Sequence, residues 1–216
     1  MSASFPTYQP RLLYIDLFCG AGGVTTGVSR VPGVQVVACV NHDATAIASH
    51  AANHPDALHY TEDIRTLDIS PIAARVAMLR LRYPDTKVVL WASCECTNFS
   101  RAKGGKTRDP DSRSLAEHLY RYIKALQPDY IQIENVTEFL KRAMRERGIA
   151  DICMRPLSIR ECLRVMGFPE DYKLCGTQTQ QRKFIGNAVE VHMAYEMALS
   201  LHNALKNQYT LNQKTA

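Results

Sequence analysis

The chain has 216 residues, enough to bury a sizeable core as one ordinary domain or two small ones without disulfide or metal staples, which excludes a mini-protein. Hydrophobic residues make up 46% of it and charged residues 22%, far from the composition of a disordered segment. With 26 basic and 21 acidic residues the formal net charge is +5, compatible with a polyanionic partner but too small to establish one.

No apolar run approaches membrane-spanning length, and the start, Met1 to Pro6, lacks the basic region and apolar stretch of a signal peptide. A soluble, cytoplasmic protein with no membrane partner is expected. The cysteines at 19, 39, 94, 96, 153, 162 and 175 are odd in number and lack framework spacing, so they read as reduced thiols. Cys94-Glu95-Cys96 invites a metal reading, but no paired Cys or His cluster at ligand spacing completes a tetrahedral site, and no metal is expected.

Arg11 to Phe18 is a short apolar run closed by Cys19-Gly-Ala-Gly-Gly23, which predicts a buried strand entering a glycine-rich turn, followed by a helix over 22–29. Val34 to Val40 predicts a second strand. Asn41-His42-Asp43 ends it with groups that favour turns and caps, and a helix over 44–53 follows. Ser70 reads as a helix cap with Pro71 in the first turn, and Ile72, Val76, Leu79 and Tyr83 recur at helical spacing until Pro84. Lys87 to Ala92 is another buried strand. Leu115, Leu119, Tyr122 and Leu126 then form one helical face before Pro128 and a strand over 130–133. Alternating strands and helices predict a mostly parallel sheet covered on both sides. Beyond Val136, Lys141, Arg142, Arg145 and Arg147 fall in a polar stretch. Ser158 to Met166 reads as a short helix stopped by Gly167 and Pro169, and Met193, Met197, Leu201 and Leu205 mark a final helix whose stripe is assigned to the core.

Three clusters carry chemistry, each at a strand end. Asp16 to Gly23 places small residues where a nucleotide-like ligand approaches the backbone, although the turn does not match G-x-G-x-x-G and a purely structural turn is the alternative. Asn41 and His42 offer polar groups to a ribose, as does Asp43, whose alternative role is a cap. Glu95 to Ser100 follows the third predicted strand and holds a thiol that is either a nucleophile or an inert core cysteine. Ile133-Glu134-Asn135-Val136 brings a carboxyl group to the same edge; the alternative is a cap or a surface charge.

Together these elements resemble the cytosine-5 DNA methyltransferase family. DLFCGAGG (16–23) is similar to its first cofactor motif, ECTNFS (95–100) to its catalytic Pro-Cys-Gln-x-Phe-Ser element, and ENV (134–136) to its Glu-Asn-Val motif. RPLSIRECLRVMGFP (155–169) and QRKFIGNAV (181–189) resemble the family's RPLTxRExxRxQGFP and IGNAV segments, in family order. The resemblance implies a Rossmann-like α/β core that binds S-adenosylmethionine and a partner in double-stranded DNA, of the kind used in restriction-modification. It implies Cys96 as the nucleophile on carbon 6 of cytosine, three residues before Phe99, and Glu134 as the group acting on ring nitrogen 3. It also implies a cofactor pocket shaped by Phe18, Gly20, Ala21, Gly22 and Gly23, with Asn41 and His42 at the ribose. Asp63 and Ile64 would meet the adenine, and Asn187 and Val189 the methionine side. Ser100, Arg101, Lys103, Lys106 and Arg108 would form a basic loop against DNA; a solvated loop is the alternative.

The chain departs from the family at Glu95 and Thr97, which replace proline and glutamine, and at Asn41, which stands where an acidic residue is usual. Only 18 residues separate Val136 from Arg155, where the family carries further strands, an arginine-rich motif and a target-recognition segment. The expected organisation is therefore a cofactor and catalytic core over 1–140, a short basic junction over 141–154, and closing motifs over 155–216, with a curtailed sheet. A second chain supplying target recognition is a further expectation. The alternatives are an internally deleted or split enzyme that binds the cofactor without methylating DNA alone, and a noncatalytic DNA- or cofactor-binding module.

Overall fold

The computed structural model describes residues 9–93, 112–134 and 157–215. Within them, five strands form one sheet: β1 (Leu12–Leu17), β2 (Val34–Asn41), β3 (Leu58–Thr61), β4 (Lys87–Ser93) and β5 (Tyr130–Glu134). The helices are α1 (Gly23–Val28), α2 (Ala44–Asn53), α3 (Ser70–Arg82), α4 (Ser112–Leu126), α5 (Ile159–Val165), α6 (Gln178–Gly186) and α7 (Val191–Thr215). The strand order is β3-β2-β1-β4-β5 and every pairing is parallel. The chain winds outward from β1 through β2 and β3, then crosses to the other side for β4 and β5. A topological switch point therefore lies between β1 and β4, where open α/β sheets bind ligands.

Alternation along β1 builds two cores. Leu13, Ile15 and Leu17 point to one face, covered by Ile72, Val76 and Leu79 of α3 and by Leu119, Tyr122 and Leu126 of α4. Leu12 and Tyr14 point to the other, covered by Val24 and Val28 of α1, Ile47 of α2, and Ala194 and Ala198 of α7. Coverage on both faces is why β1, β2 and β4 read as continuous apolar runs rather than alternating ones. No described helix is long and apolar enough to cross a membrane.

Several local expectations are corrected. Ser70 does not cap α3: it is the first helical residue, Ile69 holds the cap position without a side-chain bond, and Asp68 Oδ1 accepts from the Ser70 amide at 3.0 Å. The carboxylate two residues back does what the serine hydroxyl was expected to do. Ser158, expected inside a helix, caps α5, accepting from the Glu161 amide while Glu161 Oε2 accepts from its own at 2.8 Å. The sequence reading assigns neither β3 nor α6. The first is a four-residue edge strand too short to show a period, and the second starts at Thr177 with a capping box to Gln180. In the final helix Met193 is 38% exposed, and the seam against α1 runs instead through Ala194 and Ala198, with Met197, Leu201 and Leu205 partly buried beside them. The side chain of Leu115 and the basic residues 141–147 lie outside what the structure describes.

Candidate active site at the carboxyl edge of the sheet

Beyond β1 the backbone turns through left-handed conformations, with φ of 60° at Phe18, 52° at Gly20 and 103° at Gly22. That region is open to glycine and unfavourable for phenylalanine, so Phe18 is a strained position next to a cleft. The glycines serve different ends. A Cβ on Gly20 would meet nothing within 4 Å, whereas one on Gly22 would lie 2.6 Å from the Tyr172 hydroxyl and one on Gly23 would overlap the Val189 carbonyl oxygen. Gly20 leaves room on the open side. Gly22 and Gly23 are small because the closing segment of the chain fills the space beside them.

A shallow cleft, open to solvent, lies at the switch point. Phe18 and Gly20 line it from β1, Asn41, His42 and Asp43 from β2, Ser93 from β4, and Lys183, Phe184 and Asn187 from α6. Asp43 is also the cap of α2, accepting from the amides of Thr45 at 2.9 Å and Ala46 at 3.2 Å. Asn41 Oδ1 accepts from the Asp43 amide at 2.9 Å, so toward a ligand this side chain offers its amide N–H groups, where a carboxylate would offer acceptors.

The other expected cofactor residues are not among this lining. Ala21 and Val189 are buried, and Gly22 and Gly23 face the closing segment. Asp63 accepts from its own turn at Arg65 N and pairs with the Arg65 guanidinium at 2.6 Å, which holds its carboxyl below the usual range. Ile64 is buried in the core, and its carbonyl accepts from Arg121 at 3.0 Å and Tyr122 at 3.2 Å. Ser93 and Glu134 are register partners at the ends of β4 and β5, so the backbone of Glu134 sits beside the cleft's β4 wall. Its side chain lies outside the described residues, as do Cys96, three residues past Ser93, and Ser100, Arg101, Lys103, Lys106 and Arg108.

The closing segment is strapped onto the first motif. Tyr172 donates its hydroxyl proton to the Ala21 carbonyl, Asn53 bonds both the amide (3.0 Å) and the carbonyl (2.9 Å) of Lys173, and the Cys175 amide donates to Ser49 Oγ at 2.8 Å. Lys183 and Asn187 thereby reach the same cleft as residues more than 140 positions earlier.

Sequence reasoning missed a polar cluster under α1 and α2. Asp16, Cys39 and His59 are register partners across β1, β2 and β3, so their side chains share one face of the sheet. Thr25 donates to Asp16 Oδ2 at 3.0 Å, His50 Nε2 lies 3.1 Å from Thr25 Oγ1, and His50 Nδ1 lies 2.8 Å from His59 Nε2. Asp16 Oδ1 is buried without a hydrogen-bond partner, and burial pushes this carboxyl up to about 7 despite the Thr25 bonds.

The sign of the resulting pH effect follows from linkage. Between about pH 4, where an unfolded aspartate titrates, and pH 7 the native state holds a proton that the unfolded chain has lost, so Asp16 lowers stability as pH rises through that window. Asp16→Asn should remove a loss of up to about 4 kcal/mol. In metal-free buffer, urea denaturation should show the variant gaining on the parent chain between pH 5 and pH 8; a constant difference would refute the assignment.

A parallel sheet wound both ways from β1, with a cleft at its switch point closed by a returning C-terminal segment, defines a Rossmann-like fold. Likeness to solved methyltransferases agrees with this. The S. pombe Dnmt2 methyltransferase superposes with a TM-score of 0.61 at 15% identity, over 90% of this chain and 99% of that one; the Entamoeba histolytica methyltransferase EhMeth does so with 0.59 at 13%, over 91% and 99%. The C-5 cytosine-specific DNA methylase family model matches residues 12–153 and 145–203, and the chain belongs to that family. Among curated relatives, the Type II methyltransferase M.AgeI of Thalassovita gelatinovora is 33% identical over 127 residues, 58% of this chain and 28% of that protein. M.DdeI of Desulfomicrobium norvegicum is 28% identical over 201 residues, 91% and 45% respectively. The chain thus spans less than half the length of either.

Proposed function

We propose that the chain binds S-adenosylmethionine in the cleft at the β1/β4 switch point and methylates carbon 5 of cytosine in double-stranded DNA. The observation that carries this is the meeting of four motif regions at one sheet edge: Phe18 and Gly20, Asn41 and His42, the end of β4 that leads to Cys96, and Asn187 from the closing helix. The empty space over Gly20 and the polar rim from β2 fit a nucleoside with a charged tail. When bound, the cofactor supplies a methyl group made electrophilic by a sulfonium. Phe18 would stack beside the adenosine, His42 and the Asn41 amide would meet the ribose, and Asn187 the amino-acid end. Asp63 and Ile64 would meet the adenine, Val189 would help close the methionine side, and Ala21, Gly22 and Gly23 would shape the turn beneath.

In the reaction, the Cys96 thiolate would add to carbon 6 of a cytosine turned out of the duplex, which makes carbon 5 nucleophilic. Glu134 would stabilise the charge that develops at ring nitrogen 3. The basic residues from Arg101 to Arg108 would hold phosphates beside the thiol.

The 18 residues between Val136 and Arg155 favour a second reading, a form that binds cofactor but needs another chain to engage DNA. Transfer of a labelled methyl group to mixed-sequence duplex DNA separates the two. Label at cytosine carbon 5 from this chain alone supports the first. Cofactor binding without transfer supports the second.

A further inference from the structure

We infer that Cys39, His50 and His59 form a binding site for a zinc ion. One ligand atom from each lies within 4.8 Å of the others, drawn from β2, α2 and β3. One thiolate with two imidazoles is a donor set that suits zinc and leaves its fourth position for water. The inference does not depend on the methyltransferase reading, since none of the three residues lines the cleft.

The hydrogen bonds around the cluster select the nitrogen that each histidine presents. When Asp16 is ionised, Thr25 gives its one hydroxyl proton to that carboxylate, so His50 Nε2, 3.1 Å away, carries the proton that bonds Thr25. That leaves His50 Nδ1 as a bare lone pair, aimed at His59 Nε2 from 2.8 Å. A metal-bound histidine characteristically donates its other N–H to an oxygen partner that orients the ring, and Thr25 Oγ1, itself held by Asp16, is placed to do this for His50. Burial also favours the neutral, ligating imidazole at both histidines, helped at His50 by the neighbouring rings of His54 and His59.

Zinc would take the place of the proton shared by the two rings. Two Zn–N bonds of about 2.1 Å at a tetrahedral angle need nitrogens about 3.4 Å apart, so the rings must separate by about half an ångström. His59 can supply that movement because β3 is an edge strand of four residues, and it is only partly buried beside the exposed Leu58. The same edge is the entry path. The Cys39 thiol, 3.7 Å from Thr25 Oγ1, would lose its proton to solvent as the Zn–S bond forms, while His59 moves its proton from Nε2 to Nδ1.

The test uses the full chain stripped of metal by chelator. Cobalt titration should give a tetrahedral visible spectrum with a sulfur-to-cobalt band, and zinc competition should give one ion per chain with release of one proton. Cys39→Ser should abolish the sulfur band, and His59→Ala should weaken zinc by about 100-fold or more. Thr25→Val, which touches no metal, should weaken it by about 10- to 100-fold through loss of ring orientation. Cys162→Ser, away from the cluster, should change nothing. Circular dichroism checks that each variant folds, and the cobalt spectrum of the unaltered chain needs no substitution at all. Absence of stoichiometric zinc in the unaltered chain, or binding that survives both Cys39→Ser and His59→Ala, would overturn the proposal and leave the cluster a hydrogen-bonded network only.

Discussion

Cys96→Ser should abolish covalent capture of a duplex carrying 5-fluorocytosine, while Cys94→Ser should leave capture intact. Only a thiolate is nucleophilic enough at neutral pH to add to the pyrimidine ring, and serine keeps the shape while removing that reactivity. Cys96 is the thiol that falls three residues before Phe99 in ECTNFS; Cys94 falls outside the motif. Glu134→Gln should slow capture by about 100-fold, because a neutral amide cannot supply the proton that balances charge at ring nitrogen 3. Denaturing gels of the complexes read all three. Capture by the Cys96→Ser chain but not by the Cys94→Ser chain would show that the motif has been placed on the wrong thiol.

Gly23→Ala should destabilise the chain by about 2–3 kcal/mol and weaken cofactor binding with it. Gly23 opens α1 at ordinary helical geometry, so alanine brings no backbone strain of its own. Its Cβ would overlap the Val189 carbonyl oxygen, a backbone atom that cannot rotate away. Relief requires the 187–191 turn to move off α1, and that turn carries Asn187 to the cleft. Urea denaturation should show a lower midpoint with an unchanged slope. Gly20→Ala is the instructive contrast: its Cβ meets nothing, so its cost is limited to the left-handed backbone, about 1–2 kcal/mol. Equal stability of Gly23→Ala and the parent chain would show that the closing segment is not seated as described.

Much of this architecture was legible because burial on both faces of a sheet leaves a plain mark in sequence. β1, β2 and β4 read as apolar runs, α3 and α4 as periodic faces stopped by Pro84 and Pro128, and α2 as a helix following the cap at Asp43. β3 and α6 were not legible: the first is too short and too exposed to show a period, and the second is polar along most of its length. The glycine turn gave away a backbone that bends sharply, but not which glycine faces a ligand. That distinction depends on Tyr172 and Val189, more than 140 residues away. Cys39, His50 and His59 stayed hidden for the same reason. Their spacings of 11 and 9 residues match no ligand pattern, and they meet only because β3 pairs in parallel with β2 while α2 packs against both strands. Asn41 shows the converse limit. Its place at the strand end was readable, but the bond that occupies its acceptor was not.

The measurement that bears most directly on the central claim is calorimetric titration of the full chain with S-adenosylmethionine, repeated with Phe18→Ala and Asn187→Ala. Saturable binding of one cofactor per chain is expected, weakened by either substitution while the denaturation midpoint holds near that of the parent chain. No heat of binding at millimolar cofactor, or binding indifferent to both substitutions, would contradict it.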